Sequence, residues 1–258
     1  MPPITLSKDP KHKELEEFVS SFFQSHGYYI ERNIIEREIE EVLELDIIIT
    51  DYQLDLTDIR LIEVKSSKWG FHDIFKVRGW MDYLSISNAL LITDNSKGGE
   101  RDDFCKQKAE GLTVDLIIIP NLEQTADCLQ NYAKEEQIDE IDIRIWRYSY
   151  WIERNMIKHI IHKKKSNKNI NRYNILSNYY HTVNSSIFFE ENLIDRVFHL
   201  YMAFQDNPRI SAKCSHEMIG EDFDGDHRIL PEQIFDDTYF QGKYNDFQIS
   251  TLEETRAC

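Results

Sequence analysis

The chain is poor in basic residues: 30 Lys and Arg stand against 46 Asp and Glu, for a formal net charge of −16 over 258 residues. A surplus of acid repels a phosphate backbone, so bulk charge alone argues against nucleic-acid binding. Cysteine is also scarce. Cys105, Cys128, Cys214 and Cys258 are far apart and form no C-x-x-C pair. That excludes a zinc ribbon and a cysteine-ligated iron–sulfur cluster, and leaves four reduced thiols as the expectation. No apolar run approaches the roughly 20 residues of a membrane span. The opening segment, MPPITLSKDPKHKELEE, has no apolar core of the kind a secretion signal needs, so a cytoplasmic protein is expected. Internal repeats are absent, and so are low-complexity tracts beyond a short lysine run.

What is present is a folded composition, 41% hydrophobic and 12% aromatic, enough to build a core. In residues 11–26, Leu15, Phe18, Val19, Phe22 and Phe23 recur at helical spacing, and Gly27 closes the segment. Strand character follows in YYIERNII and in VLELDIIIT at 42–50, and IRLIEVKSS at 59–67 makes a third strand. A helix is expected over 72–87, with Ile74, Val77, Met81 and Leu84 on one face. A buried strand at 88–95, a helix at 100–111 and a strand at 113–120 stopped by Pro120 complete the series. The order α-β-β-β-α-β-α-β predicts an α/β fold, a mixed sheet flanked by helices. A linking helix is expected over 122–136. The texture changes after that, so the domains are read as 1–138 and 139–258, the second a mainly α-helical accessory region with an acidic tail.

Four residues of the first domain carry chemistry: Glu16, Asp46, Glu63 and Lys65. Period two puts Leu61, Glu63 and Lys65 on one face of the third strand. A carboxylate and an ammonium at the end of an apolar strand are costly unless paired, solvated or used. Asp46 likewise interrupts an apolar strand. If the two strands pair antiparallel through 51–58, Asp46 and Glu63 approach on one face. Converging carboxylates make a hard-oxygen site for Mg²⁺, with Mn²⁺ as substitute, and the Val64 carbonyl is a natural further ligand. Lys65 then holds or activates the attacking water. The competing reading is a structural salt-bridge cluster of Asp46 and Glu63 with Lys65. Glu17 or Glu14 replaces Glu16 if the helix is rotated, and Glu44 shares a face with Asp46.

At these residues the sequence resembles the PD-(D/E)XK nuclease superfamily, the restriction-endonuclease-like fold. The resemblance covers roughly residues 12–121. LEEFVSSFFQSHGY is similar to the opening helix of Mrr-like restriction endonucleases, with the helix glutamate on Glu16 and closure at Gly27 and Tyr28. The family's metal-binding Asp falls on Asp46 in LELDIIIT, and its (D/E)-x-K on Glu63 and Lys65 in LIEVKSS. Leu45 stands where the family often has Pro, and DIFKVRGWMDYLS lacks the Gln-x-x-x-Tyr of the RecB-like branch. The resemblance implies a metal-dependent phosphodiesterase, with Asp46 and Glu63 binding metal, Lys65 positioning water and Glu16 completing the site. DNA is the expected substrate rather than RNA, in a restriction or antiphage-defence setting. The alternative is a non-catalytic interaction subunit that keeps the fold, or one activated by a protein partner or by homo-oligomerisation.

The second half offers a possible substrate path. Residues 158–172 carry six basic side chains and no acid, among them Lys163, Lys164, Lys165 and Lys168. With Tyr148, Tyr150, Trp151 and Tyr173 nearby, they read either as a backbone-following segment or as a solvated charged loop. Lys68 is placed beside the site, with Lys76 and Arg78. Residues 217–258 hold eleven acids against three bases, a solvated tail or a partner contact. The stretch Asp222 to Asp226 fails the EF-hand pattern, and His159, His162, Cys214 and His216 match no metal spacing.

Overall fold

The computed structural model describes residue 10, residues 14–37, 41–54 and 57–138, and scattered positions within 142–150 and 192–199. The chain divides into two compact units, one of Ser7–Ile138 with Phe188–Leu193, the other of Met1–Leu6, Asp139–Ile187 and Ile194–Cys258. Nearly all of the expected helical accessory region lies outside the described residues, and so do Lys163, Lys164, Lys165 and Lys168.

The first unit is an α/β fold: a five-stranded mixed sheet flanked by helices. Helix α1 (Leu15–Ser25) leads into strands β1 (Tyr29–Arg37), β2 (Glu41–Asp51) and β3 (Asp58–Lys65). Helix α2 (Phe71–Leu84), β4 (Asn88–Thr93), α3 (Gly99–Glu110), β5 (Val114–Ile118) and the short α4 (Thr125–Gln130) follow. The strands lie in the sheet in chain order. β1, β2 and β3 pair antiparallel, then β3, β4 and β5 pair parallel. The parallel pairs need crossovers, and α2 and α3 supply them.

The apolar spacing of α1 is fully used, because Leu15, Phe18, Val19, Phe22 and Phe23 are all buried. Gly27 ends the helix at φ 80°, where a side chain would be strained, and the Tyr28 amide reaches back to the Phe23 carbonyl. On α2, Ile74, Val77 and Met81 face the sheet and pack with Leu61, Leu91 and Leu116, and with Cys105 and Ala109 of α3. Each such large side chain stabilises the fold by about 1.5–3 kcal/mol on burial. Ser85, in the left-handed region at φ 57°, closes α2 before the 87 that periodicity suggests. The expected helix over 122–136 is also shorter. After Gln130 the Tyr132 carbonyl accepts from Arg60 Nη1 at 2.8 Å, and Lys134 pairs with the buried Asp51 at 2.9 Å. These tertiary anchors hold the chain in turns where local propensity favours a helix.

Candidate active site

β2 and β3 diverge at one point, and the chemistry gathers there. Their ladder runs from Asp51 opposite Asp58 to Ile47 opposite Ile62 and then stops. β2 continues alongside β1, but the β1 residue facing Asp46 is Asn33, held at φ 51° in mid-strand. Asp46 therefore sits where backbone pairing is interrupted on one side and ended on the other. Its Oδ2 takes the place of the missing strand partner and accepts from the Val64 amide at 2.8 Å. In a strand the N–H and C=O of one residue point to the same side. The Val64 carbonyl thus faces the gap that holds Asp46.

Glu63 immediately precedes Val64 on β3 and is 1% exposed. Its Oε1 carries two ammonium groups. Lys65, two residues on and on the same face, forms a close ion pair with it, and Lys76 of α2 approaches to 3.4 Å. Glu63 Oε2 is buried with no hydrogen-bond partner. Burial pushes the Glu63 carboxyl above its usual range, and the nearby Asp46 charge adds to this. The Lys65 hydrogen bond and the Lys65 and Lys76 charges oppose the shift without cancelling it. Burial pulls Lys65 down, yet its bond to Glu63 and the charges of Glu63, Asp46 and Asp73 outweigh that and hold its pKa above the ordinary value.

The helix after β3 shapes the rim. Asp73, in the first turn of α2, accepts from the Gly70 amide at 2.6 Å and so caps the helix. Trp69 Nε1 donates to the Asn95 carbonyl at 2.6 Å, and Lys97 lies 3.8 Å from the Trp69 ring centre. Asn95 Nδ2 reaches the Ser67 carbonyl at 3.2 Å, which ties the β3–α2 loop to the β4–α3 loop. Lys68 stands exposed on that loop.

The structure thus brings Asp46, Glu63, Val64 and Lys65 together. Glu16 is half-buried on α1, whereas Glu17 is 3% exposed. Glu44 is exposed. Among the described residues, no group of three or more His, Cys, Asp or Glu is placed to hold a metal. The two acids that the β2–β3 register brings to the end of the ladder are Asp46 and Glu63. Two contributors were not assigned roles from sequence, Asp73 and the direct contact of Lys76 with Glu63. The Gly-x-x-Asp pattern at 70–73 is a helix-start signal that marks the first, whereas no local pattern marks the second. Among the described residues, no helix is long and apolar enough to cross a membrane. Compared with known proteins, the chain matches no protein-family model and no curated protein.

Proposed function

We propose that the chain is a metal-dependent nuclease of the PD-(D/E)XK, restriction-endonuclease-like class that hydrolyses phosphodiester bonds, with DNA as substrate and restriction or antiphage defence as its setting. One observation carries the reading. Two carboxylates on diverging strands flank a backbone carbonyl, one of them with a buried oxygen that no hydrogen-bond donor satisfies, and a lysine sits two residues on. Orphaned buried oxygens are expensive and uncommon, and a cation would relieve this one. The donor set is all hard oxygen, and Mg²⁺ is commonly held by one or two carboxylates with water and substrate phosphate completing its shell. The pair fits Mg²⁺, with Mn²⁺ as substitute. Glu63 Oε2, Asp46 Oδ1 and the Val64 carbonyl are the atoms that would hold it.

When bound, the ion supplies Lewis-acid stabilisation of charge on the phosphate. Asp46 keeps its Oδ2 on the Val64 amide, so its orientation is fixed before any ligand arrives. Lys65 stays protonated at neutral pH, and its ammonium donates a hydrogen bond that orients the attacking water. The water oxygen forms the new bond to phosphorus and releases a proton to solvent, the ester P–O bond breaks, and the leaving oxygen takes a proton from solvent. On this reading Lys68 would follow the nucleic-acid backbone beside the site, and the residues from 139 on, with Lys163, Lys164, Lys165 and Lys168, would supply further substrate or partner contacts.

The purified chain incubated with plasmid, linear duplex, single-stranded DNA and RNA, in Mg²⁺, Mn²⁺ or EDTA, tests the proposal. Cleavage that needs metal and is lost in Lys65→Ala supports it. No cleavage of any substrate, or full cleavage by Lys65→Ala, overturns it. A second reading has an observation of its own. The ion pairs of Lys65 and Lys76 with Glu63 are what a structural cluster in a non-catalytic interaction subunit would show. Cleavage that appears only with an added protein partner separates that variant.

A further inference from the structure

Lys76 is the one member of the charged cluster that comes from a helix; Asp46 is on β2, and Glu63 and Lys65 are on β3. It stands on α2, thirteen residues after Glu63 in sequence, yet its Nζ lies 3.4 Å from Glu63 Oε1. The same nitrogen lies 4.1 Å from the centre of the Trp80 ring, one helical turn further on. Its side chain is 45% exposed, against 23% for Lys65. So two ammonium groups share one carboxylate oxygen, one deep and one at the surface.

Charge balance shows what this arrangement can do. Asp46 and Glu63 with Lys65 and Lys76 sum to zero. A divalent cation added beside Glu63 leaves the cluster at plus two, so neither ammonium is still needed to balance the acids and the less anchored one is free to turn away. Lys65 is the more enclosed and has Asp46 and Asp73 near it as well as Glu63. Lys76 has solvent on its open side, and its Nζ is held by Glu63 and by the Trp80 ring face, two contacts at a half-exposed position that a phosphate oxygen can replace. It is therefore the cation that gives way. A flexible four-carbon stem ending in a point charge suits a phosphate oxygen whose position varies.

We infer that Lys76 is the substrate-phosphate clamp of this site. It covers Glu63 in the metal-free protein and turns to a nucleic-acid phosphate when a divalent cation takes Glu63. This rests on the nuclease reading and adds to it a residue that competes with metal and binds substrate. The competition is the distinguishing feature, because an ordinary phosphate-binding lysine leaves metal affinity alone and an ordinary surface ion pair leaves substrate affinity alone.

The test uses the full chain as wild type, Lys76→Met, Lys76→Arg and Glu63→Gln. Met is a good helix former and still packs on Trp80, so that variant keeps the fold. Mn²⁺ binding is titrated calorimetrically without nucleic acid. Binding of a fluorescein-labelled duplex is followed by anisotropy in Ca²⁺. Lys76→Met is expected to bind Mn²⁺ about three- to tenfold more tightly, since one partly screened positive charge has gone. The same variant binds duplex weaker by about the same factor, and Lys76→Arg restores duplex binding. If Lys76→Met leaves either affinity unchanged, or moves both in one direction, the clamp is refuted. In that case a wild-type Mn²⁺ site that Glu63→Gln abolishes leaves the nuclease reading standing. A wild type with no such site refutes both.

Discussion

Glu63→Gln separates a metal site from a structural salt bridge, because the two readings predict opposite changes in stability. In a structural cluster Glu63 holds Lys65 and Lys76, and removing one partner of a buried pair costs about 3–5 kcal/mol. The geometry here argues otherwise. Glu63→Gln leaves behind only lysines, which are partly exposed and can turn to water, so the loss of each pair costs about 0–1 kcal/mol. Against this stands Oε2, buried and without a donor, at a cost of about 1–3 kcal/mol. Glutamine keeps an acceptor toward the lysines and turns an amide donor toward Asp46. Lys65 retains Asp46 and Asp73 as neighbours. The expected net effect in EDTA near pH 7.5 is stabilisation by about 1 kcal/mol, a Tm rise of roughly 2–4 °C by calorimetry. The sign should follow pH. Burial and Asp46 raise the Glu63 pKa in the folded state. Its contribution to stability is therefore full below the ordinary carboxylate pKa and is lost as pH rises through the raised one. The advantage of Glu63→Gln shrinks accordingly as pH falls toward about 4. In Mg²⁺ the order reverses. Wild type gains about 2.7 kcal/mol at a hundredfold excess over Kd, and the variant gains little. A Tm fall of more than about 4 °C for Glu63→Gln in EDTA would refute the reasoning and favour the structural cluster.

Three other outcomes follow from the geometry. In the metal-free protein the Lys65 pKa is raised, and the proposed role needs its ammonium, so a pH–rate profile should show no gain in cleavage rate from Lys65 deprotonation between about pH 7 and 10. A rising limb there that disappears in Lys65→Arg would make the lysine a base, not a charged positioning group. Asn33→Val should destabilise by about 1–2 kcal/mol in urea unfolding, because a β-branched side chain resists φ 51°, while Asn33→Gly should be close to neutral. Equal losses for both would show that the Asn side chain, not its backbone, matters. Lys134→Met removes the partner of Asp51, which is only 3% exposed, and should cost about 2–4 kcal/mol by the same measurement; a loss under about 1 kcal/mol would mean that Asp51 is satisfied by the Gln53 amide alone.

The elements that sequence made legible are those whose signal is local. The phase of α1 lies in Phe18, Phe22 and Phe23, all within two turns, and the face shared by Glu63 and Lys65 follows from period two within one strand. Asp46 stood out as a lone acid in an apolar strand, and pairing across 51–58 suffices to bring it near Glu63. What sequence did not reveal is set by contacts between distant segments. Nothing near Asn33 announces a left-handed residue in mid-strand; it becomes visible only when β2 is laid beside it. The early end of α4 is decided by Arg60 and Lys134 reaching across the fold. The choice among Glu14, Glu16 and Glu17 turns on roughly 100° of helix rotation per residue, finer than an apolar stripe can fix.

Net charge is the feature most altered by geometry. A total of −16 argues against a phosphate partner only if the charge is spread evenly over the surface. At the gap between β2 and β3 it is not. Asp46 and Glu63 there are matched by Lys65 and Lys76, with Asp73 beside Lys65, so the local charge is about −1 before any cation binds, a small part of the total. Such a cluster repels a phosphate far less than the whole-chain figure suggests, and a divalent ion turns it into an attractive point within an acidic molecule. Field strength in that case depends on metal occupancy, so nucleic-acid affinity should rise with divalent cation while added monovalent salt only screens it. On the nuclease reading proposed above, the acidic remainder would suppress non-specific binding elsewhere, leaving the metal-loaded gap as the place where a phosphate gains most.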